Sequence, residues 1–192
     1  MSIYKDVALV VDLEATCWDG YTAPPEQENE IIEIGICTLD LATLEISAAE
    51  SILVKPTHSE ISPFCTQLTT ITAEMVAEHG ISFAEACDLL ETRYQSRNRL
   101  WCSWGSWDFK IMRDQCKRRT VRYPFSDKHA NLKRVYADAQ KNRIGLEAAL
   151  EALQLPLEGT HHRGDDDAHN AARALVALLQ NHTSMILRKY GV

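Results

Sequence analysis

Aliphatic residues run unbroken from Val7 to Val11, and the stretch 5–13 around them reads as a strand covered on both faces. Residues 19–30 are polar and carry two prolines, which predicts a surface loop. Two further strand-like runs, 31–41 and 44–54, are separated only by Ala42-Thr43, so three antiparallel strands in a meander are expected. The apolar period then lengthens. Helices are predicted over 72–79 and 82–96, the second opened by Ser82 and Glu85 at capping-box spacing. Residues 100–103 form a short apolar run, and Ser106 reads as the N-cap of a basic helix reaching about Arg118. The stretch 131–136 reads as either a short strand or a helix start, and helices at 145–154 and 166–180 close the pattern. Antiparallel strands followed by alternating helices and strands predict an α/β fold with a mixed sheet flanked by helices. No repeat or internal boundary interrupts the 192 residues, so one domain over 1–192 is expected.

Composition narrows the class. With 45% hydrophobic and 24% charged residues the chain has the make-up of a globular protein rather than a disordered or collagen-like one. No apolar run approaches the roughly 18 residues that cross a bilayer, and residues 1–6 lack a basic-then-apolar leader. A cytoplasmic location without a membrane partner is therefore the expectation. Six cysteines, none in a C-x-x-C pair, read as reduced packing thiols. The net charge of −7 disfavours a nucleic-acid partner until its distribution is considered. Residues 1–100 hold 5 Lys and Arg against 17 Asp and Glu, whereas residues 101–143 hold 11 against 4. That basic segment, with Lys117-Arg118-Arg119, Arg122, Lys133 and Arg134, is either a solvated face or a track for a polyanion.

The acids carry the candidate chemistry. Asp12 and Glu14 end the buried strand, and its two-residue period points both to one face. Like charges about 4 Å apart repel by roughly 1 kcal/mol in water and about 4 kcal/mol at an effective dielectric near 20, so a cation between them is expected. Asp108 falls in the first turn of the basic helix, after Trp104-Gly105-Ser106-Trp107, beyond the carboxyl end of a strand where ligands of open α/β sheets gather. Asp167, Asn170, Ala171, Ala174, Leu175 and Leu178 share one helical stripe, so the core-facing side of the last helix begins with an acid, while Asp166 faces outward. His162 stands five residues before Asp167, with a titration range suited to a general base. His161 and Asp166 have the same spacing, and only the stripe decides between the two registers.

Asp12-x-Glu14, Trp107-Asp108 and His162 followed by Asp167 together resemble the three motifs of the DEDDh 3′-to-5′ exonucleases, whose fold is RNase H-like. The resemblance covers about residues 5–180. Val10-Val11-Asp12-Leu13-Glu14-Ala15-Thr16-Cys17-Trp18, Asn29-Glu30-Ile31-Ile32-Glu33-Ile34-Gly35, Phe64-Cys65-Thr66-Gln67-Leu68-Thr69 and Asp166-Asp167-Ala168-His169-Asn170 look like the branch containing the ERI-1 and 3′hExo ribonucleases and the KapD-like proteins. Two positions depart from it. The branch commonly has glycine where Thr70 stands and an apolar residue in place of Asp165; neither change removes a catalytic group.

The resemblance implies two Mg²⁺ or Mn²⁺ ions held by Asp12, Glu14, Asp108 and Asp167, with Asp12 bridging. It implies His162 as the general base that activates water for attack on the last phosphodiester, releasing nucleoside 5′-monophosphates. The implied partner is a single-stranded nucleic acid 3′ end, RNA favoured over DNA. Phe64 and Trp107 are the candidate base-stacking residues, with Trp18 and Trp104 behind them and Leu13 and Ala15 beside the acids completing the candidate substrate contacts. No SAP-like extension is read in the sequence, so structured RNA substrates are not carried over. A DNA-directed exonuclease and a catalytically silent KapD-like interaction protein are the alternatives.

Overall fold

Strand β1 (Tyr4–Ala15) sits at the centre of a five-stranded sheet in a computed structural model that describes residues 4–190. Its alternating side chains are covered on both faces, which is why its aliphatic run needs no polar positions: Ala8 and Val10 enter one core, while Leu9, Val11 and Leu13 enter another. Strand β2 (Ile31–Asp40) pairs antiparallel with β1, and β3 (Glu50–Leu53) pairs antiparallel with β2. On the other side β4 (Arg99–Ser103) and the edge strand β5 (His129–Asn131) run parallel to β1, giving the order β3-β2-β1-β4-β5. The expected meander plus parallel strands is thus the observed sheet.

Parallel pairing requires crossovers, and the helices supply them. Helices α1 (Pro63–Thr69), α2 (Ala73–His79) and α3 (Phe83–Tyr94) lead from β3 to β4, and α4 (Trp107–Arg119) leads from β4 to β5. Helices α5 (Leu132–Gln140), α6 (Leu146–Ala152) and α7 (Gly164–Tyr190) follow. One core lies between the sheet and α5, α6 and α7; the other is formed with α3 and α4 around Trp101.

Four local expectations need correction. The strand expected over 44–54 shrinks to Glu50–Leu53, because Asp40 accepts the N–H groups of Ala42 and Thr43 at 2.8 Å and Leu44 turns at φ 61°. Helix α1 was not anticipated, although Pro63 at its start and the Ser62 hydroxyl accepting from Cys65 N–H at 3.0 Å form an ordinary helix opening. The ambiguous stretch is both things at once: Asn131 ends β5 and caps α5 by accepting from Arg134 N–H at 3.0 Å. Helix α7 continues to Tyr190 rather than ending near 180, with His182 out of helical geometry at φ −136°. Thr70, where the family pattern has glycine, closes α1 at φ 62°, so the turn is kept by a β-branched residue in the left-handed region.

Candidate active site

The end of β1 carries Asp12 and Glu14, and the first turns of α4 and α7 bring Asp108 and Asp167 to them. Carboxylate oxygens of Asp12, Glu14 and Asp167 lie within 4.8 Å of one another. Asp108 is tied to the same strand, its Oδ1 accepting from Leu13 N–H at 3.2 Å. Glu14, Asp108 and Asp167 are buried and Asp12 is half-buried. Burial, followed by the charges of Asp108, Glu14, Asp167 and Glu33, pushes the Asp12 carboxyl well above the usual range. Burial and the charges of Asp167, Glu33 and Asp108 push Glu14 up to about 9, against a lowering by Arg163. Burial raises Asp108 to about 6, opposed by hydrogen bonds from its own backbone, Ser103 and Leu13. An all-oxygen donor set of mutually repelling acids suits a hard divalent cation, so these residues fit Mg²⁺ or Mn²⁺.

The α7 end of the site is held by a second buried acid. Glu33 lies opposite Glu14 in the β1–β2 register and is fully buried. Its carboxylate accepts from Gly164 N–H at 2.6 Å, from Arg163 Nη2 at 2.8 Å and from the Ser51 hydroxyl. Gly35, two residues on, has no room for a side chain: a Cβ there would fall inside the backbone of Gly164. The N-terminus of α7 therefore rests directly on β2, three residues before Asp167. At the α4 end, the Ser103 hydroxyl serves both Asp108 and His129, the latter at 3.0 Å from Nε2. The His129 ring packs tilted against Trp101 and stacked on Phe109, with ring centroids 4.2 and 5.2 Å away, and burial lowers its pKa to about 4.

Both histidines meet Asp167, by different routes. His161 Nδ1 lies 3.0 Å from each carboxylate oxygen of Asp167. His162, at φ 64°, donates its backbone N–H to Asp167 Oδ2 at 2.9 Å and places its Nδ1 3.9 Å from Glu14 Oε1. The two rings stack at 4.0 Å. Burial and the neighbouring His161 lower the His162 pKa, outweighing the pull of Asp167 and Glu147, so its imidazole is neutral at neutral pH and free to accept a proton. The rejected His161–Asp166 pairing does not form; Asp166 instead accepts from Thr160 N–H at 2.7 Å.

Among the aromatic candidates, Trp107 is 49% exposed in the turn that carries Asp108. Trp18 and Phe64 are half-buried, and Leu13 and Ala15 are buried in β1 beside the acids. Trp104 turns away: its Nε1 donates to Ile144 O at 3.3 Å and its ring packs near Tyr136. The basic segment is also divided. Arg118 pairs with Glu28 at 2.9 Å, Arg119 pairs with Glu28 and Glu30 at 2.6 and 2.7 Å, and Lys133 and Arg134 belong to α5. Glu33, Arg163, Ser103 and His129 were not singled out from the sequence, although an acid inside the apolar run Ile31-Ile32-Glu33-Ile34 is a signal of the same kind as Asp12.

Residues 9–175 match the RNase T family of exonucleases. The 3′-5′ exoribonuclease 1 of Homo sapiens is 33% identical over 193 residues, covering 93% of this chain and 54% of that protein, so the chain spans about half the length of this relative. Among solved structures, the nuclease domain of 3′hExo, a DEDDh family member bound to rAMP, aligns with a TM-score of 0.83 at 31% identity, covering 95% of this chain and 96% of that one. A structure describing 3′-end-specific recognition of histone mRNA stem-loop by a 3′-exonuclease aligns with a TM-score of 0.81 at 32% identity, over 94% of this chain and 66% of that one. The five-stranded mixed sheet with flanking helices is the RNase H-like fold of these structures.

Proposed function

Because this chain belongs to the exonuclease family, we propose that it removes nucleotides from single-stranded 3′ ends, RNA in preference to DNA, releasing nucleoside 5′-monophosphates. The observation that carries this reading is the meeting of Asp12, Glu14 and Asp167 within 4.8 Å, with Asp108 bound to the same strand. RNA is favoured because the matching human relative is named an exoribonuclease and the aligned nuclease domain was solved with rAMP.

Asp12, Glu14 and Asp167 would hold the Mg²⁺ or Mn²⁺ ions, two in all, with Asp108 joining them from α4. When bound, such ions would offset the charge of the four acids and supply stabilisation to the attacking and leaving oxygens of the phosphodiester. His162 takes the proton of the attacking water through its neutral imidazole. His161 orients Asp167 through their 3.0 Å contact. The aromatic faces of Trp107, Phe64 and Trp18 stack against the terminal bases, each contact worth about 1–3 kcal/mol, and the end of β1 at Leu13 and Ala15 lies beneath the terminal nucleotide. The test is a 5′-labelled single-stranded RNA and its DNA equivalent incubated with Mg²⁺, Mn²⁺ or EDTA. Metal-dependent shortening from the 3′ end, faster on RNA, is expected; intact strands under every metal condition overturn the reading.

A further inference from the structure

Helix α4 enters the active site at Asp108, and its cations divide between those that form ion pairs and those that do not. Arg118 and Arg119, the centre of the basic run, are held by Glu28 and Glu30. Lys110, Arg113 and Lys117 project from α4 into a cavity of about 670 Å³ walled by Phe109 and Tyr123. Among the described residues none of these three makes an ion pair; Arg113 instead lies over the Phe109 ring, 5.2 Å from its centroid.

None of the four acids lines this cavity; its link towards the site runs by way of Trp107. A second cavity, of about 480 Å³, contains Trp107, next in sequence to Asp108, and shares Lys110 and Asp114 with the first. At the far end, a third of about 410 Å³ adds Lys128 and shares Tyr123 and Asp127. From Trp107 to Lys117 the helix rises about 15 Å at 1.5 Å per residue, the length of roughly four nucleotides stacked 3.4 Å apart. Asp114 and Asp127 also line the groove and keep it from being uniformly positive, so a compact anion gains little there. A strand can lay successive phosphates on Lys110, Arg113 and Lys117 along the wall that Tyr123 forms.

We propose that the groove along α4, from Trp107 through Lys110 and Arg113 to Lys117, binds the single strand upstream of the 3′ terminal nucleotide. The proposal rests on the exonuclease reading, and it assigns to Lys110 and Lys117 what the sequence alone would give to Arg118 and Arg119.

The experiment measures binding of 5′-fluorescent 12-mer and trimer RNA by anisotropy across a salt series, in EDTA so that nothing is hydrolysed. The Lys110→Ala/Lys117→Ala protein is compared with Lys141→Ala/Arg143→Ala, which removes the same charge from the same basic segment outside the groove. The groove variant is expected to weaken 12-mer binding roughly tenfold and to lower the slope of log affinity against log salt by about 1.4, at about 0.7 per lost phosphate contact. It also loses most of the advantage of the 12-mer over the trimer. Equal behaviour of the two variants, or equal weakening of 12-mer and trimer, overturns the proposal. A parallel shortening assay with Mg²⁺ on the wild-type chain separates the two failures: shortening with an inert groove variant sinks the groove alone, and absent shortening with a groove-dependent 12-mer sinks only the nuclease reading.

Discussion

Glu30 and Glu14 are buried acids at facing ends of neighbouring strands, yet their environments are opposite. Burial alone would raise Glu30, but the backbone N–H groups of Thr57 and His58 and the Arg119 guanidinium hold it down to about 2. Glu14 is surrounded by Asp167, Glu33 and Asp108 and is driven up to about 9. Glu33 belongs with Glu30, since Arg163, Gly164 N–H and Ser51 meet its carboxylate. A buried acid whose neighbours neutralise it is part of the scaffold. A group of buried acids that repel one another is complete only when something positive is added.

The strongest way to break this comparison is to remove a repelling acid. Asp12→Ala and Asp167→Asn are each expected to abolish metal-dependent shortening in the gel assay, and Asp12→Ala to raise the melting temperature of the metal-free protein, since it relieves repulsion. A fall in metal-free melting temperature would place Asp12 with the scaffold. Next, His162→Ala is expected to reduce turnover about 10² to 10⁴-fold, the range of a general base, and His161→Ala to reduce it less. Equal losses in single-turnover rates would show that the two rings share the role.

The matched acids should behave in the opposite sense. Glu33→Gln strands the Arg163 guanidinium and is expected to lower unfolding stability by about 3–5 kcal/mol, read by urea denaturation, with little recovery on adding Mg²⁺. The remaining effects concern pH. Glu30 is lowered in the fold, so its contribution is present above the ordinary glutamate value of 4.5 and is lost as pH falls towards 2. Glu14 is raised, so its contribution in the metal-free protein is greatest below 4.5 and declines as pH climbs through about 9. Metal binding must displace the Glu14 proton, so the metal-induced rise in melting temperature should be larger at pH 8 than at pH 6. A metal shift independent of pH would refute that linkage.

How far these features could be read in advance depended on regular periods. The two-residue period of β1 fixed the shared face of Asp12 and Glu14, and the helical stripe through Leu178 selected Asp167 over Asp166; the structure buries the former and leaves the latter half-buried. Periods fail in turns. His161 and His162 lie in a turn where His162 takes φ 64°, so no stripe could say which ring reaches Asp167. Helix α1 buries only Cys65 and Thr69 and so shows no apolar stripe. Charge counts fail for another reason: Arg119 finds its partners about ninety positions earlier, at Glu28 and Glu30, which local composition cannot reveal.

The contact between Gly35 and Gly164 sets a limit on how such a chain can diverge. Even one methyl group at position 35 would act as a wedge, lifting the last helix from the sheet and carrying Asp167 away from its partners while the four acids and His162 stayed in the sequence. A descendant of this protein could therefore fall silent as a nuclease while its acids and histidine still read as intact.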